Sequence, residues 1–140
     1  MGIVKVAFVG TVSLIATSIA AAALPSTFGL AHAGLSVVLF VIGTAAFLWA
    51  YALGVSRSRA DLVSVPGLFL LAGAAAPPTT QRALRTAVAL EVVAVVAAAS
   101  IRPFTEVAFG ILAPMFGLGL MGLWGGRHGE FPPRAPMADP

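Results

Sequence analysis

Four long apolar runs, separated by short polar or proline-containing breaks, organise the chain. We predict four membrane-spanning helices at about residues 4–24, 28–55, 86–101 and 104–124, because about 20 apolar residues cross a bilayer as a helix. The first run is longer than the apolar core of a usual signal peptide, so we interpret it as a span. Pro114 predicts a kink in the fourth span.

A fifth apolar stretch, residues 62–76, lies between the second and third predicted spans. It is short, contains a Pro-Gly pair and ends at a Pro-Pro pair, which is typical of a re-entrant or interfacial segment. We therefore predict an all-α integral membrane protein. A four-helix transmembrane bundle occupies residues 1–126, this short segment lies between spans two and three, and residues 127–140 form a cytoplasmic tail.

Composition supports the membrane assignment. Hydrophobic residues make up 59% of the 140-residue chain and charged residues 9%, whereas a soluble domain carries about 25% charged residues. The chain has no cysteine, which excludes disulfides and thiolate metal sites. The two histidines fall at opposite membrane faces, and the span serines lack a His–Asp pair at matching depth. We expect no cofactor, no metal and no catalytic centre.

Basic residues decide the threading. The net charge is +3, but the basic residues are scattered between the apolar runs and form no basic stripe. Nucleic acid is therefore not an expected partner. If residues 62–76 stay on one side, all basic residues except Arg102 share one face, and the positive-inside rule makes that face cytoplasmic. We expect a multi-pass protein of the cell inner (plasma) membrane with both termini in the cytoplasm. The residues on the shared face are Lys5, Arg57, Arg59, Arg82, Arg85, Arg127 and Arg134.

Glu91 is the one acidic residue deep inside a predicted span. A carboxylate in a bilayer is costly and usually faces the bundle interior or a water-filled path. Alanines at its i−4, i+3 and i+7 positions favour a packed helix interface over lipid. Thr11 and Tyr51 fall at a similar depth, so Glu91, Tyr51 and Thr11 form our candidate intramembrane polar site.

Three roles for Glu91 stay open. A neutral, hydrogen-bonded acid could fix the register of the helices, a titrating acid could carry protons or a cation, and an interface acid could contact a partner subunit. We expect the side chain to be mostly protonated at pH 7, because an ionised carboxylate at that depth costs several kcal/mol unless it is paired or hydrated.

Small residues recur at spacings of three and four in the second span and at the end of the fourth. Such stripes let neighbouring helices approach closely. The last set also matches the dinucleotide pattern G-x-G-x-x-G, but no strand precedes it and it lies in an apolar span. We assign all of them to helix packing: Gly43, Ala46, Ala50, Gly54, Gly117, Gly119 and Gly122.

The chain that follows the fourth span is rich in glycine and proline. Its prolines favour an extended backbone. One interpretation is a disordered tail that touches anionic lipid, and the other is a docking segment whose Phe131 enters a groove on a partner. The candidate contacts to lipid or partner are Arg127, His128, Phe131 and Arg134.

A resemblance rests on the Ala-rich spans and on the ending from Pro114 to Arg134, PMFGLGLMGLWGGRHGEFPPR. With these features the chain resembles small uncharacterised integral membrane proteins of high-GC actinobacteria. The resemblance covers most of the chain, and the ending is its specific part. It implies no activity and assigns no functional residue.

Two functions follow as expectations from these patterns. The parts outside the membrane are small and the glycine stripes suit helix docking, so we expect a non-enzymatic accessory subunit that packs against a larger membrane complex, in contact with membrane lipid and other integral subunits. The alternative is a small proton- or cation-linked transporter acting as a homo-oligomer around Glu91, since four short spans rarely enclose a path alone. A lipid-modifying enzyme is disfavoured by the lack of a catalytic constellation.

Overall fold

Helices form most of the chain in the computed structural model, which describes residues 2–136. Residue 1 and residues 137–140, which include the end of the predicted tail, lie outside the described part. In chain order the elements are α1 (Ile3–Ala23), α2 (Pro25–Arg57), α3 (Val65–Leu70), α4 (Pro78–Ile101), a 3-10 helix (Glu106–Leu112) and α5 (Met115–His128).

Four helical segments are long and apolar enough to cross a membrane. They are α1, α2, α4 and the 3-10 helix taken together with α5. This finding confirms the predicted all-α, four-helix transmembrane bundle. With 33 residues α2 is about 50 Å long, which exceeds the roughly 30 Å of a bilayer core, so α2 tilts or projects.

Proline sets two of the helix starts. α2 begins at Pro25 with only Leu24 between it and α1, so the proline-containing break between the first two predicted spans is a helix start. α4 begins at Pro78, which places Arg85 within the helix and not before it. Both starts follow from the fixed φ of proline, which suits the first helical position where no N–H partner is needed.

The fourth span is broken where a kink was predicted. The 3-10 helix ends before Pro114, and α5 starts after it. Proline has no N–H to donate and its ring collides with the carbonyl one turn earlier, so the regular hydrogen-bond ladder stops there. The Leu118 N–H accordingly starts a new ladder on the Pro114 carbonyl at 3.1 Å.

α1 and α4 run side by side in the same direction. Thr11 contacts Glu91 and Arg102 contacts Ala22, and each pair is separated by 80 residues along the chain. The two contacts lie about three helical turns apart. A constant offset over that length means that the helices are parallel and in register, as helices one and three of a four-span bundle are.

One end of the bundle carries all basic residues of the described chain except Arg102. The helix offset puts Lys5 level with Arg85, and Arg57 at the end of α2 contacts the last turn of α5. Arg102 lies at the opposite end, beside the last turn of α1. The residues at the basic end are Lys5, Arg57, Arg59, Arg82, Arg85, Arg127 and Arg134.

Three arginines, Arg57 and Arg85 at the basic end and Arg102 at the opposite end, stabilise the ends of other helices. The last carbonyls of a helix have no intrahelical partner and carry partial negative charge, so a guanidinium is a favourable donor there. Arginine side chains donate to such carbonyls in α1, α3 and α5. The pairs are Arg57 with Gly125 and Gly126 (3.5 and 3.3 Å), Arg85 with Leu70 and Leu71 (2.8 and 3.1 Å), and Arg102 with Ala22 (3.1 Å).

The segment between α2 and α4 enters the bundle and returns to the same end. Its only helix, α3, has six residues, which is about 9 Å and far too short to span. Phe69 stacks on Phe47 with ring centroids 4.3 Å apart, and Phe47 lies about 15 Å along α2 from Arg57. Both predicted forms, re-entrant and surface-lying, share this path, and we call residues 62–76 the re-entrant segment because the chain enters and leaves at one end of the bundle.

The tail, for which an extended backbone was predicted, runs back along this segment. The Leu62 N–H donates to the Pro132 carbonyl at 2.8 Å, and the Arg134 N–H donates to the Ala60 carbonyl at 2.8 Å. Phe131 is half-buried beneath the Arg57 guanidinium, 4.9 Å from its ring centroid. Backbone pairing and this cation–π contact anchor the tail within the chain.

Glycines allow the backbones of α2 and α5 to come into direct contact. A Cβ on Gly119 would collide with the backbone carbonyl of Gly43, and a Cβ on Gly43 would collide with the Met115 and Phe116 backbone. Gly54 leaves room for Leu68 of α3, and Gly122 leaves room for Phe69. The remaining small residues assigned to packing, Ala46 and Ala50, are buried on the same face of α2.

Candidate functional site

Glu91 lies fully buried among three helices, with 0% of its surface exposed. The Thr11 hydroxyl oxygen on α1 lies 2.8 Å from its Oε1. The Gly117 N–H of α5 donates to its Oε2 at 3.2 Å. Thr11 is about 12 Å along α1 from Ile3 and about 18 Å from Ala23, so the cluster lies near the middle of the membrane.

Hydrogen counting in this cluster favours a neutral acid. Thr11 has one hydroxyl hydrogen, yet its oxygen lies within reach of both the Ala7 carbonyl, at 2.9 Å, and Glu91 Oε1. An ionised Glu91 competes with the Ala7 carbonyl for that hydrogen. A protonated Glu91 donates its own hydrogen to Thr11, which leaves the Thr11 hydroxyl free to donate to Ala7, so every group is satisfied.

Glu91 also completes the start of α5. The first N–H groups of a helix lack intrahelical partners, and Pro114 has no side-chain oxygen to cap them. The Gly117 N–H is one of these groups, and it points at Glu91. A Cβ on Gly117 would lie 2.5 Å from Glu91 Oε2, so only glycine lets the carboxyl group approach this backbone.

Tyr51 does not join this cluster. Its side chain is 59% exposed and lies beside Val65 and Phe69 of the re-entrant segment. The buried face of α2 passes through Ala50 and Gly54, and Tyr51 follows Ala50 by about 100° of helical rotation, which turns it outward. Similar depth was a sound reason to consider Tyr51, but depth does not determine the direction of a side chain.

A second buried polar group, His32, was missed as a site residue. It was expected at the outer interface, but it is 0% exposed between α1, α2 and the 3-10 helix. Its Nδ1 lies 3.1 Å from the Thr17 hydroxyl, and its Nε2 has no hydrogen-bond partner within residues 2–136. Gly110 makes room for the ring, since a Cβ there would lie 2.5 Å from Nε2. The pairing of His32 with a small residue far along the chain leaves no signal in a single sequence.

The candidate contact residues of the tail differ in their surroundings. Phe131 packs inside the chain, against the cluster formed by Ala50, Leu68 and Phe69. Arg127, His128 and Arg134 are exposed at the basic end of the bundle. The His128 ring is also tilted against Trp124, with centroids 5.4 Å apart. Only the three polar residues are therefore open to lipid or to a partner.

Comparisons of the chain with protein-family models, with curated proteins and with solved structures give no match. The resemblance to small actinobacterial membrane proteins stays a prediction.

Proposed function

We propose that this multi-pass integral membrane protein is a non-enzymatic accessory subunit that packs against a larger membrane complex. The observation that carries the proposal is the closed environment of Glu91. Both carboxyl oxygens have partners within the chain, and the side chain is fully buried. The polar group that is most expensive to place in a bilayer therefore fixes the positions of α1, α4 and α5.

A closed Glu91 argues against a carrier role within one chain. A group that carries protons or a cation must meet water from each side in turn. Towards the basic end, however, the buried residues around the Glu91 layer are apolar: Leu71, Leu84, Leu120 and Met121. Such a plug supports a fixed structural role for the acid.

The uncovered faces of the helices support docking to other membrane proteins. The outward face of α2 alternates small residues with larger apolar ones, and a Cβ on Gly34 meets nothing within 4 Å. Leu48 and Trp49 on the same helix are more than half exposed. A small residue on an exposed helix face lets a neighbouring helix come close, and interfaces between membrane helices are enriched in small residues.

The proposed location is the plasma membrane with both termini in the cytoplasm. The support is the gathering of basic side chains at one bundle end, which the positive-inside rule assigns to the cytoplasm. Of the lysines and arginines between residues 2 and 136, Arg102 alone lies at the other end.

A second candidate function, a proton- or cation-linked homo-oligomer, is favoured by His32. A buried imidazole, whose Nε2 has no hydrogen-bond partner among residues 2–136, lies between Glu91 and the end of the bundle that carries Glu106. Glu106 is exposed, and its carboxyl oxygen lies near Gly29, one helical turn before His32. Titratable groups at three depths are the kind of series from which a proton path is built.

Gentle purification separates the two functions. The tagged chain is solubilised from native membranes in a mild detergent, and co-purifying proteins are identified and counted. A larger membrane protein at fixed stoichiometry is expected, and its recovery with Glu91→Gln should match wild type. A homo-oligomer without any other subunit would contradict the accessory role and favour the transporter.

A further inference from the structure

An open groove lies between α2 and the re-entrant segment, at the basic end of the bundle. Two adjoining hollows of about 460 and 150 Å³ form it, and Tyr51, Val65 and Phe69 line both of them. None of the polar groups near Glu91 or His32 borders it. We call this feature the α2–α3 groove.

The polarity of the groove changes along its length. The larger hollow is lined by apolar side chains and by the Tyr51 ring, and it reaches Phe47 and Leu118 on the side of the bilayer centre. The smaller hollow reaches Ser58 and Ser64, next to the end of α2. Phe47 lies about 15 Å along α2 from that end. Apolar groups followed by hydroxyls near the water interface give the order found in a phospholipid.

Charge at the polar end favours an anionic headgroup. Arg59 is exposed and directly follows Ser58 of the smaller hollow. This bundle end holds all described basic residues except Arg102, against only two acidic ones, Asp61 and Glu130. Arg57 already neutralises Asp61, 3.4 Å away. A basic residue near a membrane surface contributes about 1 kcal/mol of attraction to anionic lipid, so this surplus positive charge favours an anionic headgroup.

We propose that the α2–α3 groove binds one anionic phospholipid from the surrounding leaflet. An acyl chain lies along Phe47, Val65 and Phe69. The phosphate lies at Arg59 and at the Ser64 hydroxyl, which accepts from the Gly67 N–H and keeps its own hydrogen to donate. The proposal is independent of the accessory role, because a lipid bound there leaves the outward face of α2 near Gly34 free. It also gives Tyr51 a place, at the boundary between the apolar and the hydroxyl-lined parts.

Native mass spectrometry of the whole chain tests the proposal. The protein in detergent is given an equal mixture of dioleoylphosphatidylglycerol and dioleoylphosphatidylcholine, and single-lipid adducts are counted. Val65→Trp fills the groove from a side chain that is 70% exposed, and Val93→Trp is its control on the outward face of α4, where Val93 is 65% exposed. Arg59→Gln removes the positive charge that is proposed to attract the headgroup. Arg82→Gln, its control, removes an exposed positive charge at the same bundle end.

We expect phosphatidylglycerol adducts to dominate in wild type and in both controls. Arg59→Gln should weaken that preference by about fivefold, the equivalent of one basic residue near the lipid surface, and Val65→Trp should weaken retention of both lipids. Equal retention of both lipids by wild type would overturn the anionic headgroup. Unchanged adducts in Val65→Trp would overturn the groove. In a further test, a benzophenone amino acid replaces Tyr51 and is activated by light. Crosslinking to a second polypeptide would show that a protein occupies the groove, which would also overturn the proposal.

Discussion

The hydroxyl oxygen of Thr11 lies 2.8 Å from the carboxyl Oε1 of Glu91, across two parallel helices that are 80 residues apart in the chain. The contact joins the first and third spans near mid-membrane, and the Gly117 N–H adds the fourth span at 3.2 Å. Three spans thus share one polar group. A side chain with this many fixed partners sets both the register and the rotation of the helices around it.

Two substitutions of Glu91 should show how much its hydrogen bonds contribute to the stability of the bundle. Glu91→Gln keeps a donor for Thr11 and an acceptor for Gly117, so we expect less than about 1 kcal/mol of lost stability. Glu91→Leu leaves the Gly117 N–H unpaired in an apolar interior and should cost about 1–3 kcal/mol. Unfolding in mixed micelles with rising SDS, followed by circular dichroism, measures both. Equal losses in the two variants would show that the hydrogen bonds contribute little.

Gly117→Ala should destabilise the bundle because its Cβ would lie 2.5 Å from Glu91 Oε2 and 2.8 Å from Val88 Cγ2. Overpacking of this kind costs about 1–3 kcal/mol. Gly34→Ala is the matched control, since a Cβ on Gly34 meets nothing within 4 Å and alanine favours the helix by up to about 1 kcal/mol. The same SDS titration measures both. Similar stabilities for the two variants would contradict the close approach of Glu91 to α5.

Arg57 should hold the tail, and Arg59 should not. The Arg57 guanidinium contacts the Phe131 ring and the Gly126 carbonyl, while Arg59 is exposed two residues further along the chain. A surface cation–π contact contributes about 0.5–1 kcal/mol, so Arg57→Gln should raise the rate of tryptic cleavage after Arg134 about two- to fivefold. Arg59→Gln should leave that rate unchanged. Equal rates in both variants would mean that backbone pairing alone anchors the tail.

The re-entrant segment should begin and end on the cytoplasmic side. Leu62 is its first residue and Thr79 follows it, and both side chains are exposed at the basic end of the bundle. Leu62→Cys and Thr79→Cys should therefore react with a membrane-impermeant maleimide only when the cytoplasmic face is open. Thr105→Cys, on the chain beyond Arg102, should react in intact cells. Labelling of Thr79→Cys from outside would mean that residues 62–76 cross the membrane.

The fold followed from the sequence because the bilayer imposes strong rules. Apolar run length predicted the four membrane-length helices, and the short, proline-broken stretch at 62–76 predicted a segment that does not cross. The first residues of the helices were harder to predict. Pro25 and Pro78 read as breaks, although the same lack of an N–H makes proline a good first residue of a helix.

The sequence predicted the candidate site only in part. Residue counting gives the depth of a side chain in the membrane but not the direction in which it points. Thr11 and Tyr51 were placed at the depth of Glu91 by residue counting, yet only Thr11 faces it. His32 was placed at a membrane interface, while the fold buries it against Gly110 of an irregular helix. The docking of Phe131 under Arg57 depends on the re-entrant segment, whose path no local pattern specifies.

Proton flux across liposomes that contain the purified protein tests most directly whether Glu91 only fixes helix packing or carries protons. Wild type and Glu91→Gln are reconstituted in liposomes with an entrapped pH-sensitive dye, and a pH step is applied under a potassium diffusion potential. If Glu91 serves packing, as its closed contacts with Thr11 and Gly117 indicate, the two proteins give the same flux as empty liposomes. Flux in wild type that a normally folded Glu91→Gln protein lacks would contradict the accessory role and establish the carrier.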